Sequence, residues 1–165
     1  MSLQRFMVLT LAAALAGPAW AAGGGGGGGS GSAPAGQKSS EVVKAEKLIK
    51  EKKWDEAIQV LTKAAERDGS NADIHNWLGY SERKRGNTDA AFTHYARALK
   101  LDPEHRGAHE YVGEAYLQVG NVEKAKEHLA TLGKLCRSRC EEYKDLKEEI
   151  EEFEAKQASA GKGAE

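Results

Sequence analysis

Ala72 to His105 reads ADIHNWLGYSERKRGNTDAAFTHYARALKLDPEH, and much of this stretch recurs 34 residues further along. His75 and His109 are one such step apart, as are Leu78 and Val112, Gly79 and Gly113, Gly86 and Gly120, and Asn87 and Asn121. So are Ala91 and Ala125, and His94 and His128. A fixed period of this size marks a stacked repeat, in which each unit buries its apolar face only against its neighbours.

Within the quoted stretch, residue types place two helices. The first is expected from about Ala72 to Arg85, with Asp73 in its first turn. Gly86-Asn87 ends it, because Gly and Asn tolerate the left-handed conformation of a helix stop. Asp89 opens the second helix, which carries Ala90, Ala91, Phe92, Tyr95, Ala98 and Leu99. Asp102-Pro103 stops it, since proline restricts the residue before it and donates no backbone bond. Gly79 and Ala91 are small enough to let the two helices approach closely, with Trp77, Leu78, Tyr95 and Leu99 filling the space around them.

One period earlier lies a first unit, residues 38–71. Its helices are expected over about Ser40 to Lys52 and Trp54 to Glu66. Val42, Val43, Ala45, Leu48 and Ile49 mark an apolar stripe on the first, and Ala57, Ile58, Leu61, Ala64 and Ala65 mark one on the second. Asp68-Gly69-Ser70-Asn71 closes the unit. The third unit is 106–139. Val112, Gly113 and Tyr116 lie in its first helix, Gly120-Asn121 forms the stop, and Ala125, Leu129 and Leu132 lie in its second helix.

These residues resemble the tetratricopeptide repeat family, whose unit is a 34-residue helix–turn–helix. Leu78-Gly79 and Val112-Gly113 match its large apolar residue followed by Gly. Ala57, Ala91 and Ala125 match its Ala at the twentieth position. Ala64 and Ala98 match its Ala at the twenty-seventh, where the third unit has Leu132. Only Pro103 meets the family's closing proline, and Lys44-Ala45 replaces apolar-Gly in the first unit. The resemblance implies an all-α, right-handed solenoid of three helix pairs. It also implies a concave groove, lined by the first helix of each unit, that holds a protein or peptide partner. Carried over by position, the groove residues of the middle unit are Asp73, Asn76, Tyr80, Arg83 and Lys84. Those of the third are Gly107, Glu110, Glu114, Leu117 and Gln118, and the first unit adds Ser39, Val42, Glu46, Ile49 and Lys50. Some members of the family clamp a peptide carboxylate with Lys, Asn and Arg. The corresponding positions here are Val42, Glu46, Trp77, Gly107 and Tyr111, so the clamp is absent.

Beyond the third unit, Tyr143, Leu146, Ile150 and Phe153 form one apolar face on a mostly charged helix, residues 140–156. A stacked array needs a terminal element that is wet on its outer side, and this helix suits that place. The same spacing also makes a short heptad seam, which would give a homodimer through the C-terminal helix. Residues 157–165 read as a frayed polar tail.

The N-terminal end has a different character. Arg5 precedes an apolar run, Phe6 to Ala16, and Ala19-Trp20-Ala21 follows as a small-x-small cleavage pattern. Residues 1–21 are therefore read as a secretory signal peptide, and the run is too short to span a bilayer. The glycine run Gly23 to Gly29 opens a flexible linker over 22–37. The expectation is an exported protein, periplasmic or extracellular, with no membrane span.

The whole chain has 165 residues with a formal net charge of -1, so no basic excess draws nucleic acid. It contains no P-loop, dinucleotide fingerprint or G-x-S-x-G, and no enzymatic activity is expected. No cofactor or metal is expected either. The five histidines lack an H-E-x-x-H frame, and four of them are repeat equivalents. Cys136 and Cys140 are the two cysteines. Ser138 and Glu141 read as a capping box that starts the last helix near Ser138, leaving the cysteines on either side of a helix break. In an exported protein that favours a disulfide. The rival reading is a thiol redox or copper-handling pair.

Overall fold

A computed structural model describes residues 39–162 of this chain. The signal-peptide and linker readings, 1–21 and 22–37, lie outside the described residues. Among those described there are seven helices and no strand: α1 (Ser40–Lys50), α2 (Trp54–Arg67), α3 (Ala72–Arg85), α4 (Thr88–Leu101), α5 (Arg106–Gln118), α6 (Val122–Cys136) and α7 (Glu141–Lys162).

The helix ends follow from side-chain chemistry. Ser39 Oγ accepts from Val42 N–H at the start of α1, and Asn71 and Asn121 cap α3 and α6 in the same way. At the start of α5 the cap is a histidine: Ala108 N–H donates to His105 Nδ1 at 3.1 Å. Gly86 stops α3 at φ 94°, a left-handed conformation that glycine adopts without a steric cost. Gly120 does the same after α5, at φ 79°.

Three apolar cores are staggered along the stack. The first joins Val42, Ala45, Leu61 and Ala64 of the first unit to Ile74 and Leu78 of α3. The second joins Ala91 and Tyr95 of α4 to Val112 and Ala115 of α5. The third joins Leu117, Ala125 and Leu132 of the third unit to Leu146 and Ile150 of α7. Each pair of helices is thus completed by the next helix along. Contacts run α1 to α3, α3 to α5 and α5 to α7, besides those between consecutive helices. This nearest-neighbour order makes the fold a solenoid.

The small residues fill the close approaches. A Cβ on Gly79 would lie 2.5 Å from Cε1 of Tyr95, so the tyrosine ring rests directly on the glycine backbone. A Cβ on Gly113 would lie 2.5 Å from Cδ2 of Leu146, where α7 meets α5.

Two expectations at the C-terminal end are corrected. The last helix begins at Glu141, and Ser138 sits at φ 59° in the loop before it, so Ser138 does not cap α7. Arg137, at φ 51°, closes α6 instead. Nor does the helix fray after Lys156, for α7 continues to Lys162. Paired charges such as Lys156 with Glu152 favour that extension.

Candidate functional site

The positions expected to line the groove do not share one environment. In the first unit Val42 is fully buried and Ile49 nearly so, and both belong to the core. The exposed valine there is Val43. Asn76 is buried at the α3–α5 contact, with its Nδ2 beside Gly107. Leu117 points into the third core. Asp73, at the edge of α3, accepts from His105 Nε2 at 3.1 Å. His105 therefore caps α5 through one ring nitrogen and ties it to α3 through the other.

Tyr80, Arg83, Lys84, Glu110, Glu114 and Gln118 do come together. Arg83 Nη2 lies 2.6 Å from Glu114 Oε2, and the arginine side chain is almost fully buried. This ion pair joins α3 to α5. The arginine also stands 5.4 Å from the centre of the Tyr80 ring and 5.9 Å from that of Tyr111. A guanidinium is favoured over such ring faces. Lys84, exposed at the rim, has its Nζ 5.3 Å from the Tyr80 ring centre. Tyr80 and Tyr111 are in contact at 4.8 Å between centroids, and Trp77 and Trp54 extend the aromatic surface.

The opposite wall comes from α7. Asp145, Glu148, Glu149 and Glu152 face Tyr80, Lys84, Glu110, Tyr111 and Glu114 across a cleft of about 400 Å³. A continuation past Arg83 and Lys84 is lined by Leu117, Gln118, Phe153 and Lys156. Burial together with neighbouring Glu114, Asp145 and Glu142 pushes the Glu110 carboxyl up to about 8, against the pull of Arg83. Tyr95 lies under the arginine, and burial holds its phenol far above the ordinary range.

The sequence reading missed Tyr111 and the acidic face of α7. A signal for that face was present: Asp145, Glu148, Glu149 and Glu152 recur at steps of three, one and three beside the apolar stripe. The missing element was the role of α7. It packs on α5 as α5 packs on α3, and so it lines the groove as well as closing the stack.

Four of the five histidines form pairs, one inside the second unit and one inside the third. His75 stacks on His94 at 6.0 Å between centroids. His109 and His128 approach to 2.9 Å between their Nδ1 atoms. His109 Nε2 donates to the Pro103 carbonyl at 2.9 Å, which leaves its Nδ1 to accept from His128. Burial and His109 push His128 down to about 4. Among the described residues no group of three His, Cys, Asp or Glu side chains is placed to hold a metal ion.

Cys136 ends α6 and Cys140 directly precedes α7. Arg137 and Ser138, both at positive φ, turn the chain between them. The two sulfurs lie at disulfide distance, with Cα atoms 5.7 Å apart. No helix among the described residues is long and apolar enough to cross a membrane.

Comparison with known proteins extends this geometry. Two family models, both described as tetratricopeptide repeat, match residues 43–105 and 82–150. No curated protein matches the chain. Among solved structures, the second TPR of Spaghetti (RPAP3) bound to HSP90 peptide SRMEEVD is 26% identical, with a TM-score of 0.55. That match covers 58% of this chain and 89% of the other. The first TPR domain of human RPAP3 is 22% identical with a TM-score of 0.63, covering 72% of this chain and 93% of the other. The Yersinia enterocolitica type III secretion translocator chaperone SycD is 18% identical with a TM-score of 0.61, covering 72% and 83%. The last two establish likeness of fold alone.

Proposed function

Since this chain belongs to the tetratricopeptide repeat family, we propose that it is a protein–protein interaction module that holds an extended protein segment along the face made by α3, α5 and α7. The observation that carries this reading is the convergence of Tyr80, Tyr111, Lys84, Glu110 and Gln118 on a continuous cleft. Half-exposed aromatic rings beside charged groups are the usual anchors of a protein interface. The solved relative with bound HSP90 peptide supports it from outside.

A photo-crosslinking residue placed at Lys84 or Gln118 tests the reading. Both side chains are exposed and line the cleft, so the fold tolerates the change. With a displayed random peptide library, crosslinks should form at these positions and not at Thr93 or Lys100, exposed positions on α4. Crosslinks on α4 alone would place the working surface elsewhere.

The reading includes export, supported by the apolar run Phe6 to Ala16 and the Ala19-Trp20-Ala21 pattern. Protein recovered after secretion should begin at Ala22, and an intact Met1 would overturn cleavage. In an oxidising compartment Cys136 and Cys140 would be joined, because their Cα separation suits a disulfide. The redox and copper alternative gains no support from the fold, and the bond is assigned a structural role. A dimer through α7 would have to share a seam whose Leu146 and Ile150 are already buried within the chain.

A further inference from the structure

Glu110 is the deepest carboxyl of the cleft. Only 9% of its surface is exposed, and it lines the cavity between α5 and α7. No hydrogen bond or ion pair holds its carboxyl among the described residues, and it opens on the cleft among Glu114, Asp145 and Glu142. A largely buried carboxyl crowded by like charges is costly to ionise, and a cation in the cleft would relieve that cost. The surroundings indicate the sign of that partner. Glu114 and Glu152 are neutralised by Arg83 and Lys156. Asp145, Glu148 and Glu149 stand exposed on α7, with no ion pair among the described residues. Among the described residues Lys84 is the one cation that lines the part of the cleft holding Glu110, and it already sits over the Tyr80 ring.

We propose that this cleft takes an arginine or lysine side chain of the bound segment, the cationic head meeting Glu110, Asp145 and Glu149 and the stem lying on Tyr80 and Tyr111. The inference rests on the groove reading above and specifies the chemistry of its occupant. An organic cation suits the site better than a metal ion, because no three ligating groups converge among the described residues. Ring faces at 4.8 Å beside carboxylates suit the flat guanidinium best. The HSP90 peptide SRMEEVD held by the solved relative ends in acidic residues. Here an acidic segment would meet like charge.

Proton linkage supplies a second signature. Glu110 faces Glu114 on its own helix, Tyr80, Arg83 and Lys84 of α3, with Tyr95 of α4 beneath Arg83, and Glu142, Asp145, Glu148, Glu149 and Glu152 of α7. Its carboxyl is raised to about 8, so most of it is protonated at neutral pH. A bound cation favours the ionised form and expels that proton. Affinity for an arginine segment should therefore rise about tenfold from pH 7 to pH 9, as the ionised fraction rises.

The test uses the full chain and a fluorescein-labelled Arg-Gly peptide, acetylated and amidated, read by anisotropy. Controls carry Gln or Glu in place of every Arg. The Arg peptide should bind, and the Gln and Glu peptides should not. Asp145→Lys with Glu149→Lys, both exposed positions, should weaken binding at least about tenfold. Glu110→Gln should bind more weakly and lose the rise with pH. Arg-peptide binding unchanged in the α7 variant would place the peptide away from this cleft and overturn the proposal. So would a preference for the Glu peptide. If Lys84 and Gln118 still crosslink segments without Arg or Lys, the groove reading stands and this inference falls. If they crosslink nothing, both fall together.

Discussion

Gly79 and Gly113 occupy equivalent repeat positions but meet different neighbours. Gly79 supports the fully buried Tyr95 ring, whereas Gly113 meets the terminal methyl groups of Leu146. A ring cannot yield locally, while a leucine end can rotate. Gly79→Ala should therefore cost about 1–3 kcal/mol, and Gly113→Ala should cost less. Chemical denaturation of the two variants checks the order, and equal losses would show that Tyr95 has room to move. Glu110 yields a second prediction at this scale. Its carboxyl titrates near 8 when folded against 4.5 as its ordinary value. Between those values the folded chain keeps a proton that the unfolded chain has lost. The contribution of this group to stability thus falls as pH rises from about 4.5 to about 8. Glu110→Gln removes the fall, and should stabilise the chain by on the order of 1–3 kcal/mol at pH 8 and little at pH 4.5. Melting curves of both forms across this range measure it. A stabilised variant that binds its segment less well would be the usual cost of a polar site built for function. His128 runs the opposite way: held neutral to about 4, it withdraws stability as pH falls from 6.5.

At the scale of the element, α7 is the least ordinary helix. It supplies Leu146 and Ile150 to the third core and an acidic wall to the groove. Leu146→Ala should cost about 2–5 kcal/mol, because the deletion leaves a cavity against Gly113 and Leu132. With the Cys136–Cys140 bond formed, its reduction should loosen the start of α7 before anything else. Hydrogen exchange with and without reductant should differ over about Arg137 to Phe153 and stay unchanged in α1 to α4. Unchanged exchange around α7 in a protein shown to be oxidised beforehand would leave the bond without a structural role.

At the scale of the molecule, stability is a chain of neighbouring interfaces, and the Arg83–Glu114 pair ties the second unit to the third. Arg83→Met keeps much of the volume but strands Glu114 beside Glu110 without a cation. Such a change should cost about 3–5 kcal/mol. The loss should be smaller in Arg83→Met with Glu114→Gln, since the second change removes the stranded charge. Urea unfolding of the single and double variants measures the coupling. A double variant as unstable as the single one would mean that the arginine acts by packing on Tyr80 and Tyr111 alone.

Much of this organisation is legible in the residues themselves. The recurrence of Gly79, Gly86, Asn87 and Ala91 one period later determined the repeat, its helix ends and its close approaches. Those features depend on local chemistry: a left-handed stop needs glycine, and a tight crossing needs a missing side chain. The apolar stripe of Tyr143, Leu146, Ile150 and Phe153 likewise marked the closing helix. What the residues alone left open depends on facing elements. Val42 and Ile49 read as groove positions and are buried, Val42 because the first unit turns it toward Leu61 and Ile74. Arg83 reads as a groove residue, yet Tyr80 of its own helix and Glu114 and Tyr111 of the next unit enclose it. The sign of the groove was decided only when α7 brought Asp145, Glu148 and Glu149 opposite Glu110. A charge pattern is written along one helix, but its field and its pKa shifts arise from what the fold places across from it.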